Sequence, residues 1–351
     1  MRTSTLLLAS PLLAGCASFQ GAVADLEALH EEKAEGVLVH RSEVTRLSAF
    51  GRAWLASPFR ALGSKLLASP RKETLPEPDR LCRESLRALR KQDFRDAAIL
   101  AESVHWASFL LEEDPHPLSR TEAAVVLAGV PPAEPVPAEG ATGDPDVIAS
   151  IRAVTGRLDS VRRGEALDAA GRAELGRRID LLGSAPYHRS SDARGIARSL
   201  ARLGRVEPDP ALAARSASAS RVASARAARL SLTRGLADPS EFVREACVEG
   251  IVRLEGEGAL PGLGAAVEKD PSPSVRRRVV RLCARAPSSG PAEEPVLAFL
   301  VRALGDPDPS VAANAMEALS LRTGRERTLD REYWRAWWRR RDLERPAGGR
   351  W

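Results

Sequence analysis

DPSPSVRRRVVRLCARA, from Asp270 to Ala286, is the stretch that decides how this chain reads. The same plan occurs twice more, as DPSEFVREACVEGIVRL from Asp238 and DPDPSVAANAMEALSLR from Asp306. Each block opens Asp-Pro and carries a Val five residues after the Asp, at Val243, Val275 and Val311. The Asp-to-Asp steps are 32 and 36 residues, a spacing that marks a stacked repeat.

Stepping by four from each Val reaches Cys247 and Ile251, Val279 and Cys283, and Ala315 and Leu319. Residues four apart share one helical face, so each block predicts a helix with a single apolar stripe. One striped helix cannot bury its stripe alone, but stacked neighbours can. The Asp-Pro opening suits a helix start: a short acceptor caps free N–H groups, and Pro is tolerated in the first turn. Pro273 and Pro309 are expected at the first helical position. The apolar-periodic runs Ala228–Leu236, Ala259–Val267 and Glu294–Leu304 read as the partner helix of each pair.

The blocks resemble the HEAT repeat in its short bacterial form. That family pairs antiparallel helices through an Asp-Pro turn, with Val-Arg at the start of the second helix. Arg244 and Arg276 match the Arg, while Ala312 replaces it in the third block. An Asp–Arg ladder between repeats is therefore expected to stop there. The resemblance covers roughly 228–324 and implies an all-α fold, a right-handed α-solenoid of antiparallel helix pairs in an ARM-type superhelix. Two upstream stretches match in part. DPHPLSRTEAAVVLAGV has Asp114-Pro115 with Ser119-Arg120 in place of Val-Arg. DARGIARSLARLG offers Ala193-Arg194, Ala197 and Leu200, but His188 stands where the Asp belongs. Asp209-Pro210 follows the previous helix too soon to open a full repeat.

Composition agrees with an all-helical chain. Aromatic residues make up 4% of the 351 positions, and no run of alternating β-branched residues occurs. The net charge of +5 is mild for this length, and only five of the 52 basic residues are Lys. Arg-richness of this kind reads as base composition and does not by itself point to nucleic acid.

The start, MRTSTLLLASPLLAGCASF, has one positive residue, a short apolar core from Leu6 to Leu13 and a small-residue site. This pattern is that of a secretory signal peptide, too short to span a bilayer. Leu13-Ala14-Gly15-Cys16 resembles a bacterial lipobox. That resemblance implies cleavage after residue 15, acylation of Cys16 and, with Ala17 rather than Asp following, sorting to the periplasmic face of the outer membrane. Two or three acyl chains would hold a protein stably where one would not. The segment Arg46–Leu67 mixes Phe50, Trp54 and Phe59 with Arg46, Arg52, Arg60 and Lys65. Its apolar face either packs under the first repeats or lies among lipid headgroups. Between Cys16 and residue 78 the chain reads as a tether that contains this segment.

Beyond Cys16 there are three cysteines, Cys82, Cys247 and Cys283. The odd number argues against a disulfide framework, and Cys247 and Cys283 fall on inward stripes as small core residues. Ser69–Asp79 reads as a linker. Helices are expected at about Asp79–Lys91, Phe94–Glu112 and Leu118–Val130, the last two paired across Asp114-Pro115. The proline-rich stretch 131–145 reads as a hinge. Helices resume at about Val147–Arg163, Ala169–Leu182 and Ser191–Leu203, and Ala211–Arg229 is only weakly patterned. This organisation suggests two helical lobes, 79–130 and 146–342. Within the second, 146–227 holds degenerate repeats, 228–324 the clear ones, and 325–351 a capping helix and tail.

Tyr333-Trp334-Arg335-Ala336-Trp337-Trp338 holds half of the six tryptophans. Trp334, Trp337 and Trp338 share one face of a short helix. They are expected to cover the repeat that ends at Leu321, leaving Arg335 and Arg339–Arg341 in solvent; the alternative is an exposed aromatic binding patch. The Trp-x-x-Trp-Trp ending resembles HEAT-containing lipoproteins of planctomycete-like bacteria.

The chain carries no motif with chemistry. The five His are scattered without metal-site spacing, and neither a Gly-x-Ser-x-Gly elbow nor a Gly-Lys-Ser/Thr phosphate loop occurs. GEGALPGLG, from Gly256 to Gly264, follows a helix and sits where a repeat turn is required, so it is not read as a dinucleotide loop. No catalytic, cofactor-binding or metal-binding residue is assigned, and no cofactor or small-molecule substrate is expected. One charged feature stands out: Arg277, Arg281 and Arg285, four apart and opposite Val275, Val279 and Cys283. This stripe is either a solvated face or a contact for an acidic protein, phosphate-rich headgroups or polyanionic glycan. Nucleic acid is disfavoured as a partner, because the expected signal peptide would send the chain out of the cytoplasm. The expected role is a membrane-anchored scaffold for a protein partner. An enzyme or enzyme accessory related to HEAT-like bilin lyases is one alternative, and a purely structural envelope lipoprotein is the other.

Overall fold

The structure, a computed structural model, describes residues 77–92, 94–132, 144–285 and 293–343. Cys16, the segment Arg46–Leu67 and most of the proline-rich stretch lie outside these residues. The described residues are helical without a strand, and no helix among them is long and apolar enough to cross a membrane. The chain divides into two compact units, 1–230 and 231–351.

The first unit contains α1 (Glu77–Arg90), α2 (Ala97–Glu113), α3 (Pro117–Ala128), α4 (Asp144–Arg162), α5 (Ala169–Ser184), α6 (Ser190–Val206) and most of α7 (Pro210–Gly235). Helices α2 and α3 pair through the Asp114-Pro115 turn, as their spacing predicts, and α1 packs on α3. Arg87 closes that contact with Glu122, Nη2 to Oε1 at 3.0 Å. Helices α4 and α5 form a second pair, and α6 packs on both α2 and α4. Arg198 of α6 meets Glu102 of α2 at 2.8 Å. One apolar core draws Ala98 from α2, Val154 from α4, Ile179 from α5, Leu200 from α6 and Ala219 from α7. Helices on both sides of the proline-rich stretch therefore share one core, where two lobes are the sequence expectation. Non-local apolar contacts of α6 override the local composition break.

A second correction concerns α7. The weakly patterned run Ala211–Arg229 and the expected short helix Ala228–Leu236 are one continuous 26-residue helix. Its buried stripe is built from small residues, with Ser216, Ser220, Ser224, Ala219, Ala223 and Ala227 at 0–1% exposure. Small side chains let backbones approach: a Cβ added at Gly183 of α5 would sit 3.0 Å from Ala219 Cβ. Ser220 donates to the Ala197 carbonyl of α6 at 2.8 Å. A hydropathy pattern built on large residues does not register such a stripe.

The second unit contains the end of α7, then α8 (Glu241–Glu255), a 3₁₀ turn (Gly256–Ala259), α9 (Leu260–Val267), α10 (Pro273–Arg285), α11 (Glu293–Ala303), α12 (Pro309–Thr323) and α13 (Arg331–Leu343). Helices α9 and α10 pair, as do α11 and α12, while α8, α10 and α12 pack side by side as a layer of second helices. Val243, Val275 and Val311 are 0–1% exposed, and the residues four and eight further on are all buried. The stripes read from the sequence are thus the core of an all-α, solenoid-type stack. Gly256, at φ 66°, ends α8 in a backbone conformation that disfavours side chains. GEGALPGLG is accordingly a turn and the start of α9, as its place in the repeat requires.

Candidate interaction surface

The layer of second helices is fixed from behind by a ladder of Arg and Asp. Arg244 of α8 reaches the Asp270 carboxylate of the next repeat with Nε and Nη2, at 2.8 and 2.9 Å. Its Nη1 donates back to the carbonyls of Asp238 and Pro239, at 2.7 and 3.1 Å. Arg276 repeats the arrangement one unit on: both arms on Asp306 at 2.8 Å and Nη1 on the Asp270 carbonyl at 2.5 Å. A planar guanidinium makes this two-sided contact where an ammonium cannot. All four side chains are 90% or more buried. As the sequence predicts, the ladder stops at Ala312, a methyl group packed at 0% exposure.

The ladder corrects the role expected for the Asp. Asp238, Asp270 and Asp306 each accept from the N–H two residues on, at 2.8–2.9 Å, closing a turn just before the helix. Where a side chain caps the helix itself, it is the following Ser272 or Asp308: Ser272 Oγ takes Ser274 N–H, and Asp308 takes Ser310 and Val311. The carboxylates of Asp270 and Asp306 also receive the Arg of the repeat before. The same turn occurs at Asp114. Its carboxylate accepts His116 N–H at 2.7 Å, and Arg120 donates to the carbonyls of Asp114 and Pro115 at 2.8 and 2.9 Å. His116 Nδ1 then caps Leu118 N–H at 3.2 Å. Ser119-Arg120 thus occupies the Val-Arg position in three dimensions. The His188 stretch lacks the turn: Arg189 heads α6 without a side-chain cap, and Arg194 turns instead to the His105 carbonyl of α2.

The outer side of the layer carries a mixed polar surface. Helix α8 presents Phe242, 53% exposed, followed along the same face by Glu245, Glu249 and Arg253. Helix α10 presents Arg277, Arg281 and Arg285, and α12 presents Ser310, Asn314, Glu317 and Leu321. Cross-links run between the helices. Arg278 pairs with Glu249, Arg277 Nη1 donates to Ser310 Oγ at 3.2 Å, and Arg281 Nε donates to Asn314 Oδ1 at 3.0 Å. Arg285 is exposed with no ion pair among the described residues. The stripe therefore has two members anchored toward α12, each with further N–H groups, and one exposed member. This belt of side-chain bonds between helices is not visible in the spacing.

The two described free cysteines, Cys247 and Cys283, are buried, and burial pushes the Cys283 thiol up to about 12. Among the described residues no group of three His, Cys, Asp or Glu converges as metal ligands.

Helix α13 closes the stack on α11 and α12. Trp334 is 0% and Trp337 8% exposed, their rings edge-to-face at 5.7 Å, and Trp334 Nε1 donates to the Thr328 carbonyl at 3.2 Å. The tryptophan face is thus a cap, as expected. Two details differ from expectation. Leu321 itself stays 63% exposed, because it lies on the outer face of α12. Arg341 is not in free solvent but pairs with Glu294 at 2.9 Å and stands over the rings of Trp337 and Trp338.

Against known proteins, the family of HEAT repeats matches residues 260–331, which run from α9 to the first residue of α13. No curated protein matches the chain. The turn and ladder geometry at Asp238 and the turn at Asp114 extend the repeat plan outside the matched range.

Proposed function

We propose that this chain is a protein-interaction scaffold tethered to the bacterial envelope through Cys16, with the outer face of α8, α10 and α12 as its contact surface. HEAT repeats commonly serve protein–protein contact, and here the face is held rigid by the buried Arg244–Asp270 and Arg276–Asp306 pairs. That rigidity carries the reading: a surface ordered in advance loses little entropy on binding. The partner carries acidic groups opposite Arg277, Arg281 and Arg285, with Phe242 as an apolar anchor beside them. In this proposal the chain acts by binding and not by catalysis. The envelope placement rests on the LAGC sequence and the apolar run before it.

Pull-down from detergent-solubilised membranes tests the surface. Arg277, Arg281 and Arg285, changed together to Glu, abolish recovery of the main partner while the melting curve stays within a few degrees. Recovery of the same partners from both forms would end the proposal for this face. Cys16→Ser tests the tether and is expected to move the protein from the membrane pellet to the soluble fraction. Unchanged pelleting would count against acylation.

A further inference from the structure

Beside the cap lies a recess of about 610 Å³, bounded by the start of α11, the end of α12, the turn after it and α13. Its size falls in the range of roughly 300–1,000 Å³ occupied by small-molecule sites. Its chemistry is unusual for an end cap. Four guanidiniums line it, those of Arg322, Arg325, Arg340 and Arg341, together with Trp337 and a single carboxylate, Glu293.

The charges do not cancel. Arg322, with its side chain 1% exposed, pairs with Glu293 and donates Nη1 to the Cys283 carbonyl at 2.6 Å. Arg341 pairs with Glu294, and its Nη1 is buried without a hydrogen-bond acceptor. Arg325 and Arg340 have no ion pair among the described residues. Two positive charges are left over in one recess. Arg325 is not placed there by chance of rotamer. Gly324, left-handed at φ 65° and ψ 14°, turns the chain after α12 and sets the Arg325 guanidinium over Trp337, 5.6 Å from the ring centroid. Arg341 stands over the same ring at 5.6 Å. Trp337 thus orders two guanidiniums, and at 8% exposure it offers little ring surface for stacking a ligand. Recognition at this recess is ionic.

We propose that this recess binds a phosphate monoester group. Such a group carries about −1.5 to −2 charges near pH 7 and three strong acceptor oxygens, which matches two uncompensated guanidiniums. A single carboxylate carries one charge and leaves one guanidinium unbalanced. The recess shares no lining residue with the outer face of α8, α10 and α12. Failure of one site therefore leaves the other standing. The phosphate is that of a soluble ester or of a lipid headgroup, two sources with the same chemistry.

Calorimetric titration of the full-length Cys16→Ser chain with glycerol 3-phosphate at low ionic strength tests the soluble source. Flotation with phosphatidylcholine vesicles, with and without phosphatidic acid, tests the lipid source. The double variant Arg325→Ala with Arg340→Ala removes two exposed side chains and keeps the fold, as a melting curve verifies. Binding in whichever arm is positive falls at least tenfold in this variant. It stays within twofold in Arg302→Ala, which removes one surface charge of α11 away from the recess. Binding to glycerol 3-phosphate alone assigns a soluble ester; binding to phosphatidic acid vesicles alone assigns a headgroup. No saturable binding in either arm overturns the proposal. So does a loss in Arg302→Ala that matches, per charge removed, the loss in the double variant, since that is the signature of net charge only.

Discussion

Arg276 shows how one side chain ties two repeats together. Its guanidinium spans the backbone of its own turn and the carboxylate of the next. Arg276→Ala would leave Asp306 buried with one backbone N–H and no countercharge. The expected cost is roughly 3 kcal/mol, the lower end for stripping one partner from a buried pair. A urea midpoint shift worth less than about 1 kcal/mol would show the ladder to be ornamental. The pair also makes stability sensitive to acid. Burial pushes the Asp306 carboxyl up, but Arg276 and the Asp308 N–H outweigh it and hold it below 3.8. A carboxylate with a lowered folded value stabilises above 3.8, and that contribution is lost as pH falls through its folded value. His116 titrates in a higher window. Burial, then the charges of Arg83 and Arg120, lower it from 6.5 to about 4. The neutral ring caps Leu118, so its contribution is complete above pH 6.5 and declines as pH falls toward 4. His116→Asn keeps a short acceptor and is expected to flatten the urea midpoint between pH 6.5 and 5. An unchanged slope would assign that pH dependence elsewhere. The Asp-Pro turns were legible from spacing, and the resemblance to the HEAT repeat implied the Asp–Arg ladder between repeats. That the same Arg also holds its own turn was decided only by the tertiary structure.

At the scale of elements, a helix was legible when its stripe was made of large residues. α10 and α12 start where Pro273 and Pro309 place them, because Pro at the first position and an apolar period of four point the same way. α7 escaped because its stripe is Ser and Ala, whose information is closeness of approach and not hydropathy. Close approach also decides α9. A Cβ added at Gly264 would lie 2.7 Å from the Phe299 ring of α11, and Phe299 is 4% exposed and has no room to retreat. Gly264→Ala is expected to destabilise the second unit by about 1–3 kcal/mol through overpacking, despite Ala's better helix propensity. Thermal unfolding measures it, and a rise in melting temperature would mean that α9 and α11 slide apart at no cost.

At the scale of the whole molecule, stability in a repeat stack passes between neighbours, so a lost end cap is felt first beside it. Trp334→Ala removes a fully buried indole and its bond to Thr328, at an expected cost of about 3–5 kcal/mol. Hydrogen exchange is expected to show α11 and α12 losing protection while α2 and α3, in the other compact unit, keep theirs. Uniform loss across the chain would indicate a single cooperative body. The grouping of helices into two units was the least legible feature. The proline-rich stretch looks like a boundary, but α6 returns to α2 across it with an apolar face and an ion pair.

The sequence by itself determined the helical class, the repeat period, the inward residues of α8, α10 and α12, the end of the ladder at Ala312 and the tryptophan cap. The helical class, the inward stripes and the cap follow from the 3.6-residue period and from the chemistry of Asp and Pro at fixed offsets, which act within one or two turns; the ladder and its end follow from the resemblance to the HEAT repeat. Only the tertiary structure decided which helices share a core, which members of the Arg stripe are anchored, and that Arg322, Arg325, Arg340 and Arg341 gather around Trp337. Those outcomes depend on side chains tens of residues apart meeting in space, and no local pattern encodes such meetings.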